Sequence, residues 1–210
     1  MEGQRPMKRD LLLLEIAQTA YNIGYGAKKN LATYDILEKA PGWIVVATLG
    51  VGIFALFNPT LENKYIAAAV LLVGIGSLYF NSYQSKKDAY ADVGSRLTSL
   101  FTGLRSIYYE VKSEEREQWP DSDELVKRYR HILKESQEIG IARQIFLSDW
   151  YAHYKFFWQA QTDWIDEQLH FRFWRDRIPL TATLVGIILV GVLIWSAAIA
   201  ILDRISGYRP

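Results

Sequence analysis

The chain has 210 residues, 50% of them hydrophobic and 22% charged, with a formal net charge of +1 and no cysteine. So balanced a charge carries no electrostatic footprint for nucleic acid. The lack of cysteine excludes disulfides, thiolate metal sites and cysteine nucleophiles. Charge and apolar residues are segregated: runs 43–57, 65–80 and 180–202 carry no charged residue, and nearly all charge lies in 1–40 and 81–178.

No signal peptide is expected in the first residues, because the apolar stretch 11–14 is short and is followed by Glu15. Residues 8–40 predict a cytoplasmic helix. Leu13, Ala17, Ala20, Gly24, Ala27, Leu31 and Tyr34 recur at helical spacing, and the small residues on that stripe suit close approach of another helix. Pro41 predicts a break before the first apolar run. The first two runs, about 16 residues each, lie near the lower limit for crossing a hydrocarbon core of ~30 Å. Trp43, Tyr65 and Tyr79 are placed for the interfaces. Between the runs, 58–64 opens on Asn58-Pro59 and stays polar, as a turn does. Residues 42–81 therefore read as a transmembrane hairpin. A buried soluble hairpin is the alternative, and it would leave three uncharged runs to be covered by a small chain.

Lys28, Lys29 and Lys39 precede the hairpin, and Lys86, Lys87, Arg96 and Arg105 follow it. That bias puts both its ends in the cytoplasm. Small residues recur within the spans. Thr48 and Gly52 have small-xxx-small spacing, as do Ala182 and Gly186. Thr48, Gly52, Gly74, Gly76 and Ser77 are the candidate pore or gating residues. Gly74 and Gly76 suit close packing on the first span, and in a gated pore they also let the second span shift. No charge sits within a span, which argues against ion-coupled transport.

The second span is expected to run on without interruption to Trp119-Pro120-Asp121. Tyr90, Val93, Leu97, Leu100, Leu104, Ile107 and Val111 follow a 3-4 alternation there, as in a bundle seam. Asp121 or Ser122 would cap the next helix, which carries Leu125, Tyr129, Ile132 and Ile139 and meets Gly140. A last cytoplasmic helix is expected over 142–177. Phe146, Trp150, His153, Phe157, Ala160, Trp164, Phe171 and Trp174 mark one face, while Tyr151, Tyr154, Phe156, Trp158 and Phe173 lie off it. So wide an aromatic band suits a core plus a membrane-interface belt, and equally a subunit interface. Leu97, Leu104, Trp150, Tyr154, Trp158 and Trp164 are the candidate oligomer contacts. The run 180–202 is long enough to span with some tilt. It predicts a third transmembrane helix over 179–203, with Arg172, Arg175 and Arg177 inside and the short tail outside.

Catalytic chemistry is hard to assemble from these residues. Glu167-x-x-His170 has the i, i+3 spacing of half a di-metal site, but neither other histidine has a carboxylate three residues before it. Gly24-x-Gly26 lacks the third glycine and preceding strand of a dinucleotide fingerprint. The expectation is no enzyme, no metal and no cofactor.

Tyr21-Asn22-Ile23-Gly24-Tyr25-Gly26-Ala27-Lys28-Lys29, then Tyr34 and Asp35, then a two-span hairpin, resembles the SLATT family, the SMODS- and SLOG-associating two-transmembrane effector domains. The resemblance implies a membrane effector of a bacterial anti-phage conflict system, encoded beside a nucleotide-synthesising or nucleotide-sensing partner and forming a pore. It offers no catalytic residues. The expected protein is an all-α, multi-pass inner-membrane protein with a cytoplasmic helical bundle, in contact with lipid and homo-oligomeric, with no nucleic-acid partner. The alternative is a non-conducting membrane anchor that recruits a soluble partner through its aromatic helix.

Overall fold

The computed structural model describes residues 6–58, 63–141 and 143–206. Part of the expected turn at 58–64, the start of the expected helix at 142 and the tail 207–210 lie outside the described residues. The chain forms two units, Met1–His170 and Phe171–Pro210.

The first unit is built on one helix of 47 residues, α1 (Arg9–Ala55). Leu12, Ile16, Ala17, Ala20 and Ala27 on its N-terminal half are buried. Against this half lies α3 (Lys87–Ser113), which buries Tyr90, Leu97, Leu104, Ile107 and Val111. The helices meet where the small-residue stripe predicts. A Cβ at Gly24 would lie 2.7 Å from the Phe101 ring and 2.8 Å from the Phe156 ring. At Gly94 it would lie 2.6 Å from Leu31 Cγ and 3.3 Å from the Leu31 backbone nitrogen. Two glycines on facing helices thus set how closely the helices pack.

The break expected at Pro41 is absent, and α1 runs through Pro41 into the first apolar run. A proline inside a helix leaves the carbonyl four residues earlier without its N–H partner. That carbonyl belongs to Leu37, and the Gln84 side-chain amide donates to it at 3.2 Å. A side chain from the far end of the hairpin thus supplies the hydrogen bond that Pro41 cannot.

The second span is α2 (Lys64–Gln84), capped by Asn63, whose side chain accepts from the Tyr65 N–H at 2.8 Å. The rod expected to continue to Trp119 stops at Ser85-Lys86, and α3 begins afresh. A short antiparallel pair, β1 (Met7–Lys8) with β2 (Gln118–Trp119), joins the start of α1 to the segment after α3, and Trp119 in it is fully buried. The following helix, α4 (Glu124–Glu138), is capped by Asp123 rather than by Asp121 or Ser122; its carboxylate accepts from the Leu125 N–H at 2.9 Å. Asp121 pairs with Arg130 instead.

The single helix expected over 142–177 is broken into pieces. Within the first unit these are α5 (Ser148–Tyr154), a π-helical turn Lys155–Gln159, and α6 (Asp163–Leu169). Leu147 (φ 69°) and His170 (φ 49°) are left-handed, and Ala160 is extended, so helical phase is lost at each. Loss of phase changes which aromatics are inside. Phe156, off the face of a continuous helix, is fully buried, whereas Phe146 is exposed.

The second unit contains α7 (Phe173–Asp176) and α8 (Leu180–Ser206). Among the described residues α1, α2 and α8 are long and apolar enough to cross a membrane, their best windows having mean hydropathy 1.4, 1.6 and 2.3.

Candidate functional site

The two spans of the first unit leave their apolar surface bare. Within α2 the most apolar window has no buried residue, and on α1 Val45, Val46, Leu49, Ile53 and Phe54 are exposed. Thr48 and Gly52 line a groove of about 470 Å³ between the helices, facing Ala67 and Val70 of α2. The Thr48 hydroxyl donates to the carbonyls of Ile44 (2.9 Å) and Val45 (3.0 Å), so its polarity is met within its own helix. Gly74 and Gly76 are outside that groove. A Cβ on either would meet nothing within 4 Å, so they do not make the close contact with the first span that the sequence suggests. Ser77 donates to the Gly74 carbonyl at 2.6 Å. The structure therefore brings Thr48 and Gly52 together and leaves Gly74, Gly76 and Ser77 apart from them.

At the base of the hairpin a polar node ties the two apolar helices to the polar helices of the first unit. Asn30 and Thr33 of α1 are buried. The Gln144 amide nitrogen donates to Asn30 Oδ1 (3.2 Å), and its oxygen accepts from the Thr33 hydroxyl (2.6 Å). The neighbouring Arg143 lays its guanidinium 4.7 Å from the centre of the Tyr83 ring, and the Tyr90 hydroxyl donates to the Arg143 carbonyl at 2.5 Å. Lys155 pairs with Asp35, and Lys87 with Glu38 at 2.5 Å. Every element entering or leaving the hairpin on this side touches the node. The sequence reading passed over Asn30, Thr33 and Gln144. The signal was present for the first two, as polar residues three apart in an otherwise apolar helical stripe.

The motif Tyr21–Lys29 receives α5 and the π-helical turn. Tyr21 and Tyr25 set their rings edge-on to Phe156, at centroid distances of 5.6 and 6.0 Å. The Tyr25 hydroxyl donates to Asp149 Oδ1 at 2.9 Å, and Lys29 lies 3.1 Å from the same oxygen. Burial pushes the Asp149 carboxyl up, but the hydrogen bonds from Lys29 and Tyr25 outweigh it and hold the group below the usual carboxylate range.

Of the candidate oligomer contacts, Leu97, Leu104 and Trp164 are buried in the protomer's own core. Trp164 packs 5.0 Å from Tyr108 and 5.7 Å from Phe101, centre to centre. Tyr154 and Trp158 are 52% and 60% exposed, and Trp150 is half-buried. Glu167 lies 2.7 Å from Lys112 and accepts from Tyr108 at 3.3 Å. Because α6 ends at Leu169 with His170 left-handed, Glu167 and His170 do not share a helix face. Among the described residues no three His, Asp or Glu side chains converge as a metal site.

The fold and the bare hairpin define an all-helical membrane protein with attached polar helices. Residues 7–186 match the SMODS and SLOG-associating 2TM effector domain 6, and the chain belongs to that family. The match takes in nearly the whole first unit and ends within the first turns of α8, so most of the third apolar helix lies beyond it. Membership gives the coarse class, a membrane effector of defence systems. No curated protein and no solved structure matches the chain.

Proposed function

We propose that the protein is a non-enzymatic effector of a bacterial anti-phage system that assembles into a pore in the inner membrane and arrests or kills the infected cell. The observation that carries this reading is the hairpin itself. Its outer surface is apolar, and the rest of the first unit covers almost none of it. Its polar and small positions, Thr48 and Gly52, line a cleft between the spans. So few helices cannot enclose a water path, so a conducting state needs several copies around a lining of Thr, Ser, Gly and aliphatic groups, which can gate by dewetting. The node at Asn30, Thr33 and Gln144 gives the cytoplasmic helices a rigid grip on the base of both spans. A signal received there, from a nucleotide-synthesising or nucleotide-sensing partner, would be passed to the spans.

Exposed Tyr154 and Trp158 favour a second reading, a non-conducting anchor that recruits a soluble partner. Dye release from proteoliposomes holding purified protein separates the two. Release that rises with the number of copies per vesicle supports the pore. Intact vesicles with fully inserted protein, in the presence of the partner, support the anchor.

A further inference from the structure

The loop between α4 and α5 ends in Ile145, Phe146 and Leu147. Phe146 is 75% exposed and Leu147 is 47% exposed. Leu147 also has φ 69°, a left-handed conformation that strains any residue with a Cβ and favours glycine. In a loop facing water, the strain at Leu147 and the bare apolar side chains of Phe146 and Leu147 would both be unfavourable.

The position of the loop supplies the explanation. Phe146 and Leu147 line, with Ile36, Ala40, Tyr79 and Phe80, an almost wholly apolar groove of about 380 Å³. Tyr79 and Phe80 close the apolar run of α2, where the charge pattern places the cytoplasmic face of the membrane. Just beyond them Arg143 stacks on Tyr83. An apolar tip, an aromatic collar and then a cation is the order in which side chains meet acyl chains, the interface and lipid phosphates.

We propose that Phe146–Leu147 is a membrane-inserting tip, anchored by buried Ile145: Phe146 and Leu147 enter the cytoplasmic leaflet beside α2, a lipid chain fills the groove, and Arg143 meets the headgroup phosphates. Lipid is the occupant because the groove is lined by Tyr79 and Phe80, at the end of the helix on which Leu71, Leu72, Ile75 and Leu78 are exposed. The tip adds an attachment for α5, separate from the spans. It rests on the reading that the hairpin crosses a bilayer.

Because the chain has no cysteine, single cysteines report without background. Phe146→Cys and Leu147→Cys, in the full chain, are labelled with bimane and placed in phosphatidylcholine–phosphatidylglycerol vesicles containing lipids brominated along the acyl chain. Leu72→Cys reports the span. His131→Cys on α4, whose side chain is 79% exposed, reports water. The expected result is quenching at 146 and 147 severalfold stronger than at 131 and approaching that at 72. Quenching at 146 and 147 no stronger than at 131, with 72 quenched, overturns the tip and leaves the hairpin standing. Failure at 72 as well overturns both. Fast disulfide formation between Phe146→Cys copies without lipid quenching assigns the tip to a second copy and overturns the lipid assignment.

Discussion

Single residues carry the helix contact in the first unit, and Gly24 is the sharpest case. A methyl group there would lie 2.7 Å from Phe101 and 2.8 Å from Phe156, both in rings held by further aromatic neighbours. Gly24→Ala should therefore lose about 1–3 kcal/mol, the usual cost of overpacking, outweighing the helix propensity gained. Thermal unfolding in detergent checks this; Gly26→Ala is the control, since a Cβ there has only an ordinary 3.7 Å contact with Leu97. The half-exposed ion pairs give a pH signature. Asp149, held low by Lys29 and Tyr25 against its burial, and Glu167, held low chiefly by Lys112, both have depressed folded values. A depressed carboxylate stabilises the fold fully above its unfolded value of about 4 and loses that contribution as pH falls through its folded value. Melting temperature should be flat from neutral pH to about 5 and then fall, and Asp149→Asn should flatten part of that acid limb. The effect is small, because solvent screens both pairs.

At the scale of elements, the seam of α3 and the small-residue stripe of α1 were legible because each follows one helical period over several turns. Tyr90, Leu97, Leu104, Ile107 and Val111 are inside, as their spacing predicts. What periodicity could not carry was a change of phase without a breaker. Ser85-Lys86 ends a helix with no proline or glycine, and Leu147 and His170 hold left-handed conformations that their residue types disfavour. Four residues in two strands are too few to show a period. Pro41 failed in the other direction. The residue type predicts a stop, because the sequence does not show that Gln84, more than forty residues on, reaches the Leu37 carbonyl. That compensation can be tested. Gln84→Ala leaves a partly buried carbonyl unpaired and should cost about 1–2 kcal/mol. Pro41→Ala restores a backbone N–H to the same carbonyl. In that background Gln84→Ala should cost little, and the double-mutant cycle should return a coupling of about 1 kcal/mol. Equal costs in both backgrounds would mean that Gln84 acts elsewhere.

For the whole molecule, membrane residence was the most legible property, since uncharged runs of spanning length need no tertiary information. The candidate site was legible only in part: Thr48 and Gly52 share a groove, but half of the anticipated oligomer contacts turned out to be core residues. Leu97, Leu104 and Trp164 are apolar at helical spacing whether they face their own chain or another, so sequence alone could not separate the two cases. The length of α8, and the arginines ahead of it, lead us to expect a third crossing. A reporter fused after Pro210 should then read as periplasmic, and a cytoplasmic reading would leave only the hairpin spanning. Assembly is the last expectation, and it now rests on fewer residues. Tyr154 and Trp158 remain exposed on α5 and the π-helical turn, and aromatics of this kind, when buried between subunits, often contribute more than 2 kcal/mol each. In lipid nanodiscs the protein should have the mass of an oligomer. Replacing Tyr154 and Trp158 together with Ala should shift it toward monomer without lowering its melting temperature, since neither side chain belongs to the core. Dye release should fall in step with oligomer mass. An oligomer of unchanged mass would move the interface to the bare faces of α1 and α2. A wild-type monomer in nanodiscs would remove the pore and leave the anchor.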